Sequence, residues 1–230
     1  MKNNILKNSF IYSIKRSVPI LVGFFPVGVA YGIMMSDAGF GTLPTALSSL
    51  FVYAGSLQML MISFFKSSMP LTAVAVTSLL LNSRHMFYGI SFIEKFKSYG
   101  PWKYVLIYGM PDESYSLLCS YVPIDGMSEK WVHIFSTVLI WIYWIAFSCL
   151  GNLAGSLMSF DTTGIDFALT ALFTVILIDS LKTAKSKLPF LTAVISSVAC
   201  LIIFGADSFL LPSLCITVAA VIILKGRIEK

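Results

Sequence analysis

Charged residues are scarce in this sequence. Of its 230 residues, 12% are charged and 57% are hydrophobic, and the mean hydropathy is +0.85. Because ordinary soluble domains carry about 25% charged residues, this composition excludes a disordered chain and argues against a soluble domain. The 16 basic and 11 acidic residues leave a net charge of +5, and the basic residues gather at the chain ends and in short loops. That distribution is typical of a membrane orientation signal and not of nucleic-acid binding.

Histidine and cysteine are also few, and motifs for metals and for enzymes are missing. Two histidines exclude a multi-histidine metal site, and we expect no cofactor. The sequence has no GxxxxGK[ST] phosphate loop, no HExxH motif and no GxSxG motif, so we expect no enzyme. The cysteines lie in apolar stretches without motif spacing, and we expect them to be small buried hydrophobic residues. They are Cys119, Cys149, Cys200 and Cys215.

Long apolar runs predict an all-α polytopic membrane protein, because a helix needs about 20 mostly apolar residues to cross a bilayer. We predict about eight transmembrane helices joined by short loops, some of them discontinuous. They cover residues 18–36, 43–65, 70–93, 104–123, 131–156, 166–182, 188–205 and 208–224. Residues 1–17 are predicted to be a cytoplasmic arm, 18–225 a single transmembrane domain, and 226–230 a cytoplasmic tail.

The positions of lysine and arginine predict the orientation of these spans. With the N-terminus inside, 12 basic residues fall on the inner side and three fall on the outer side, so both termini are expected in the cytoplasm. The three outer lysines, Lys95, Lys97 and Lys103, do not fit this pattern. Either their loop is a tolerated exception or an earlier segment is re-entrant, which leaves seven spans; 104–123 is the segment expected to be most irregular.

One predicted span, 70–93, carries a stripe of polar residues on adjoining helical faces. The stripe consists of Thr77, Ser78, Asn82, Arg84, His85 and Tyr88. A charge near the bilayer midplane costs about 2.5–3.5 kcal/mol on insertion scales, so the arginine needs a partner. The stripe is expected to face protein or a water-filled cavity, where it binds substrate or couples ions. A structural ion pair that joins two helices is the alternative.

A second group of charges lies in 104–123. Pro111 removes a backbone donor and Gly109 adds freedom, so a helix break is predicted between them. Asp112 and Glu113 would then lie in the first turn of a second half-helix, where the helix dipole favours carboxylates. Transporters place such discontinuous helices at their substrate sites, and either carboxylate is a candidate partner for the arginine.

Two other predicted spans contain small or polar residues. Gln58 is suited to bind a zwitterion or a neighbouring helix. In 18–36, Pro26 is expected to kink the helix, while Gly23, Gly28 and Gly32 are expected to serve packing or a break. Gly151 and Gly155 repeat the small-xxx-small spacing. Asp166 and Asp179 are expected to be charges at helix ends.

These motifs together resemble the AzlC/YgaZ family of bacterial branched-chain amino acid exporters, over roughly residues 15–225. The similar stretches are Gly23–Gly32, Ala54-Gly55-Ser56-Leu57-Gln58, Asn82-x-Arg84-His85-x-x-Tyr88, Asp112-Glu113 and Asp166–Phe173. This chain departs from the family pattern at Pro111, where the family usually has threonine, and at Ser56, where alanine is common.

The resemblance implies a secondary carrier in the bacterial cytoplasmic membrane that exports the branched-chain amino acids leucine, isoleucine and valine, with methionine as a further candidate substrate. It further implies a small hydrophobic membrane partner of the AzlD/YgaH type. The alternatives are a transporter of another small solute, a non-transporting assembly subunit, a channel and a membrane-embedded enzyme. The last would need a nucleophile–base pair or a metal motif, and neither is seen in the sequence.

Overall fold

The structure, a computed structural model, describes residues 2–67, 69–157, 186–205 and 209–228, together with five single positions between 174 and 182. Within these ranges the chain forms nine α helices and no strand, which confirms the all-α prediction. The helices are α1 (Lys2–Asp37), α2 (Thr42–Phe51), α3 (Gly55–Lys66), α4 (Leu71–Lys97), α5 (Trp102–Tyr108), α6 (Asp112–Cys119), α7 (Glu129–Leu157), α8 (Leu188–Phe204) and α9 (Leu210–Ile228).

Internal contacts divide the chain into two compact units. The first comprises Met1–Lys66 and Asn82–Ala168, and the second comprises Ser67–Leu81 and Leu169–Lys230. In the second unit, α8 packs against α9. The predicted span 166–182, with both of its aspartates, lies outside the described residues except for a few single positions. The single transmembrane domain over 18–225 stays a prediction.

The first helix is longer than the span predicted for it. It begins at Lys2 and runs without interruption through Pro19 and Pro26, so the segment predicted as an arm is helical from Lys2 onward, and Pro26 does not break the helix. Two serines of this segment explain the difference. Ser13 Oγ donates a hydrogen bond of 3.2 Å to the Val132 carbonyl oxygen in α7. Ser9 Oγ accepts one of 3.0 Å from the backbone N–H of Ser128, the residue before α7. Small polar residues here join two helices.

Helices α1 and α7 run parallel over their full lengths. Their contacts advance together along both chains, from Phe10 on Phe135 through Phe25 on Phe147 to the Asn152 amide, which donates to the Gly32 carbonyl oxygen. Both helices are long and apolar enough to cross a membrane. Since they run in the same direction, the chain crosses an odd number of times between them.

Glycines allow the close approach of these two helices. A Cβ atom at Gly32 would collide with the backbone of Ser148 and of Asn152, and one at Gly151 would collide with the backbone of Val29. A Cβ atom at Gly28 would lie 2.8 Å from Phe147 Cβ. The small-xxx-small pairs of α1 and α7 therefore pack on each other, whereas Gly23 has open space around it.

Helices α2 and α3 form a hairpin instead of the continuous span predicted over 43–65. The hairpin begins and ends beside the C-terminal end of α1. At its start, Thr42 Oγ1 donates to Asn152 Oδ1 at 2.9 Å; at its end, Lys66 Nζ lies 3.7 Å from Asp37 Oδ2. With 10 and 12 residues, the two arms are about 15 and 18 Å long, too short to cross a hydrocarbon core of about 30 Å.

Helices α5 and α6 form a second hairpin, which starts from the opposite side. Its first residue, Trp102, contacts Trp131 at 5.9 Å between ring centroids. Beyond its end, Tyr121 contacts His133 at 5.4 Å. Both ring partners lie in the first turns of α7, so the segment enters and leaves on the side where α1 and α7 begin. The expected break at Gly109–Pro111 is the tip of this hairpin.

The hairpins replace two of the predicted continuous spans, 43–65 and 104–123, by pairs of shorter helices, and the number of membrane spans stays a prediction. Helix α4, which belongs to the first unit from Asn82 onward, is the long helix between α1 and α7 in the sequence. It has 27 residues, or about 40 Å of helix, and its last turns lie beside the start of α7, where Lys95 Nζ lies 2.6 Å from Glu129 Oε1. Of the two alternatives left open for the 94–103 lysines, this position is the one expected if an earlier segment is re-entrant. They share a side with Lys7, Lys15, Arg16 and Lys130.

Large apolar side chains cover much of the outer surface of the helices. Leu71, Phe87, Ile202 and Ile223 are between 67% and 84% exposed, as is usual for side chains that face lipid. The cysteine prediction holds for Cys200, which is buried, and fails for Cys119 and Cys215, which are exposed. On a helix that faces an apolar environment, an apolar run does not separate buried from exposed positions.

Candidate functional site

The tips of the two hairpins meet near the middle of α7. The last carbonyl groups of a helix have no hydrogen-bond partners within it. At the end of α2, two aromatic side chains from other helices donate hydrogen bonds to these carbonyl groups. Trp141 Nε1 donates to the Ser49 carbonyl oxygen at 3.2 Å, and the Tyr108 hydroxyl donates to the Leu50 carbonyl oxygen at 2.9 Å. Tyr53, between α2 and α3, has a φ of +41°, a left-handed conformation that a residue with a side chain rarely adopts.

Arg84 of α4 connects the starts of the two half-helices that leave these tips. Its Nη1 lies 2.7 Å from Asp112 Oδ2, in the first turn of α6. Its Nη2 donates a hydrogen bond of 3.1 Å to Ser56 Oγ, in the first turn of α3. Helix N-termini carry a partial positive charge, so three positive groups converge on this point, and the Asp112 carboxylate is the anion among them.

Two other polar residues of the α4 stripe lie beside the same aspartate. His85 Nε2 lies 3.9 Å from Asp112 Oδ1, and the Tyr88 hydroxyl lies close to this carboxylate. The Tyr88 ring stacks on Tyr115 of α6, with 4.3 Å between centroids and 17° between planes. The structure thus brings together Arg84, His85, Tyr88 and Asp112, as the sequence predicted, and assigns Asp112 as the partner of the arginine.

Several buried polar atoms at this place have no hydrogen-bond partner among the residues that the structure describes. They are Tyr53 Oη, Asn82 Oδ1, Arg84 Nε, Asp112 Oδ1 and Ser114 Oγ, of which the Tyr53 and Ser114 hydroxyls lie close to each other. Ser114 is fully buried and Tyr53 is 5% exposed, so bulk water does not supply the missing bonds. An unpaired buried polar group costs about 1–3 kcal/mol. A cluster of them beside an ion pair is what a polar ligand would satisfy.

Glu113 follows Asp112 in the first turn of α6. It is half-buried and forms no ion pair with any residue in the described part of the chain. The Tyr53 hydroxyl lies close enough to Glu113 to interact electrostatically with its carboxylate. Glu113 is therefore the carboxylate of the pair that is left available to a ligand or to a proton.

Gln58 belongs to a different network, and the structure places it away from these groups. Its Oε1 accepts a hydrogen bond of 2.9 Å from Trp144 Nε1, and its Nε2 donates to Ser49 Oγ at 3.2 Å. The side chain is fully buried, and its amide is occupied by helix neighbours. Of the two roles that the sequence left open for Gln58, the contact with a neighbouring helix is the one seen in the structure.

Sequence reasoning did not select Tyr53 and Ser114 as site residues. A serine three positions after Pro111 and a tyrosine before Gly55 are both ordinary in membrane helices. The useful signal was their position, since each stands within a few residues of a helix break. Gly23, Pro26, Gly28 and Gly32 lie along α1, where Gly28 and Gly32 contact α7, and none of them contributes a polar group to the site.

Comparison with known proteins assigns the family. The sequence profile of the AzlC protein family matches residues 19–158, which include both hairpins and every polar residue of the site. The chain belongs to the AzlC family. The resemblance seen in the sequence motifs is thereby confirmed.

Three relatives place this AzlC-family chain among membrane proteins. The branched-chain amino acid transport protein AzlC of Bacillus subtilis (strain 168) is 36% identical over 230 residues, which cover 97% of this chain and 90% of that protein. A membrane protein of Helicobacter pylori (strain 26695) is 32% identical, over 93% of this chain and 94% of its own. The inner membrane protein YgaZ of Escherichia coli K12 is 26% identical, over 77% and 76%. No solved structure matches the chain.

Proposed function

We propose that this protein is a secondary carrier that exports branched-chain amino acids, and that Arg84 and Asp112 form its substrate site. The observation that carries the proposal is that Arg84 joins the first turns of two half-helices, beside buried polar atoms without partners. Transporters of several folds bind the carboxylate of a substrate at half-helix N-termini. The Bacillus subtilis relative is named for branched-chain amino acid transport.

The ion pair explains how a zwitterion is accepted into an apolar surrounding. Removing one partner of a buried pair leaves an uncompensated charge, which is costly. A zwitterionic amino acid avoids this cost because its carboxylate replaces Asp112 on the arginine while its ammonium group pairs with the released aspartate. One ion pair becomes two, and the Tyr53 and Ser114 hydroxyls are placed to complete the hydrogen bonds.

Coupling, direction and partner complete the proposal. Glu113 and His85 are the protonable groups nearest the ion pair, and we assign them to coupling with a proton gradient. The N-terminal side of α1 is placed in the cytoplasm, because nearly all basic residues described in the first unit lie on that side. The apolar outer surface is consistent with a small hydrophobic membrane subunit as partner, as the AzlC/YgaZ resemblance implies. No enzymatic step is proposed.

Counterflow of radiolabelled leucine in proteoliposomes tests the function. The chain would be reconstituted with and without its small partner, and with and without an imposed pH gradient. Saturable counterflow of leucine, isoleucine or valine supports the carrier, and a response to the pH gradient supports proton coupling. Absence of counterflow for these solutes and for methionine in the assembled pair would contradict the proposal. It would favour a carrier of another small solute or a non-transporting assembly subunit.

A further inference from the structure

A cleft of about 460 Å³ separates the first half of α1 from α6. Its volume lies within the range of about 300–1,000 Å³ that is usual for small-molecule sites. One wall is a face of α1 with Lys15, Arg16 and Ile20, and the facing wall is a face of α6 with Asp112, Glu113 and Leu117. Asp112 and Glu113 belong to the site described above, whereas the cations on α1 have no role so far.

The charges of the cleft are separated along its length. Helices α1 and α6 run antiparallel, because Tyr12 contacts Tyr121 and Arg16 donates to Ser120 Oγ. The cations therefore lie at the C-terminal end of α6, and the carboxylates lie at its N-terminal end. Eight residues of helix place Asp112 about 12 Å from the level of Ser120. Apolar side chains, Ile20 and Leu117, lie between the two charged ends.

Lys15 is the unpaired cation at the rim of the cleft, which is the end beside the C-terminus of α6. It is exposed and forms no ion pair with any residue of the described ranges. Arg16, by contrast, is bonded to Ser120 and lies over the Tyr12 ring at 5.7 Å, so it holds the rim together. A free ammonium group at this end of the cleft attracts anionic groups and raises their local concentration.

We propose that this cleft is the vestibule through which an amino acid reaches Arg84 and Asp112, and that Lys15 at its rim attracts the substrate carboxylate. The inference rests on the proposed function and adds a location and a residue to it. The separation of about 12 Å means that one zwitterion does not contact both ends at once. Lys15 therefore acts on capture, while Ile20 and Leu117 contact the aliphatic side chain as the substrate moves toward Glu113.

The test is leucine uptake by the chain assembled with its small partner, as wild type and as Lys15→Gln, in vesicles of phosphatidylcholine alone. Lys15→Gln is expected to raise KM by about threefold to tenfold with an unchanged maximal rate, because steering acts on encounter. Raising the ionic strength should raise the KM of the wild type and leave that of the variant unchanged. Lys7→Gln is the matched control, since Lys7 is exposed on the same helix and does not line the cleft.

Three results would overturn the vestibule. If Lys15→Gln and Lys7→Gln have the same KM and the same salt response while the wild type transports leucine, the vestibule is wrong and the proposed function stands. If the wild type transports no amino acid, both are wrong. An effect of Lys15→Gln that appears in vesicles with anionic lipid and disappears in phosphatidylcholine assigns Lys15 to lipid headgroups, and this also contradicts the vestibule.

Direct access to the cleft gives a second measurement. In a chain whose four cysteines are replaced by serine, Ser116→Cys places a thiol on the cleft wall, and Ser156→Cys places one at the exposed end of α7. Leucine is expected to slow the reaction of the first thiol with a charged thiol reagent about threefold or more, and to leave the second unaffected. Equal rates with and without leucine at Ser116→Cys would contradict passage through the cleft.

Discussion

The Tyr108 hydroxyl at the end of α5 donates a hydrogen bond of 2.9 Å to the Leu50 carbonyl oxygen near the end of α2. This contact joins two hairpins that start from opposite sides of the first unit. Each hairpin is too short to cross, and together they meet where Arg84 binds both of the following half-helices. Two backbone carbonyl groups freed at the tip of the first hairpin are therefore paired with side chains of α5 and α7.

Single and double variants of the Arg84–Asp112 pair distinguish a role in transport from a structural role. Arg84→Gln and Asp112→Asn each leave one charge without its partner. Because both side chains are about one-third exposed, each variant is expected to lose only about 1–3 kcal/mol of stability. The double variant removes both charges and should recover most of that loss in thermal stability. Leucine counterflow should be lost in all three variants. A double variant that still transports leucine would show that the pair has a structural role alone.

The Tyr53 and Ser114 hydroxyls allow the opposite comparison, because their removal should affect transport and not stability. Tyr53→Phe and Ser114→Ala remove hydroxyls that lie close to each other and form no other hydrogen bond within the described part of the chain, so the thermal midpoint should change little. Leucine KM should rise by about tenfold if each hydroxyl donates one hydrogen bond of about 1–1.5 kcal/mol to the substrate. Tyr31→Phe is the control, because the Tyr31 hydroxyl is 2.6 Å from Ser48 Oγ; it should lower the midpoint and leave KM unchanged. Unaltered KM in both site variants would remove Tyr53 and Ser114 from the site.

The packing of α1 on α7 depends on the absence of a side chain at Gly32. Gly32→Ala would push a methyl group into backbone atoms of Ser148 and Asn152, which cannot rotate away, and the loss should be at least about 3 kcal/mol. Gly23→Ala meets nothing within 4 Å and should be neutral, or more stable by about 0.5–1 kcal/mol. Thermal unfolding in detergent measures both, and equal midpoints would contradict the close approach of the helices.

Proton coupling is assigned to Glu113, and Glu113→Gln tests this assignment. The amide keeps the size of the side chain and removes its ability to bind a proton. Leucine counterflow without a gradient should persist, while accumulation driven by a pH gradient should fall to the level of empty vesicles. His85→Gln tests the second protonable group in the same assay. A full response to the pH gradient in both variants would exclude them as coupling residues.

The sequence alone predicted the class of the protein, which the structure and the family confirm, and proposed the residues of its candidate site. Scarce charge and long apolar runs predicted a helical membrane protein, and the family profile confirms the motifs that the sequence displayed. Gly109 and Pro111 predicted the tip of the second hairpin, because proline lacks a backbone donor wherever it stands. The cost of an isolated arginine in a bilayer predicted that Arg84 has a partner. All of these follow from properties of single residues or of short segments.

Only the tertiary structure decided which apolar segments form one continuous helix and which fold back as a hairpin. Hydropathy measures the length of an apolar run, and a hairpin of two half-helices has the same run length as a single span. The difference lies in where the ends are, and contacts such as Lys66 with Asp37 and Trp102 with Trp131 show it. In the same way, Asp112 rather than Glu113 binds Arg84, and Gln58 binds Trp144, because neighbours in a sequence point in different directions once the helix forms.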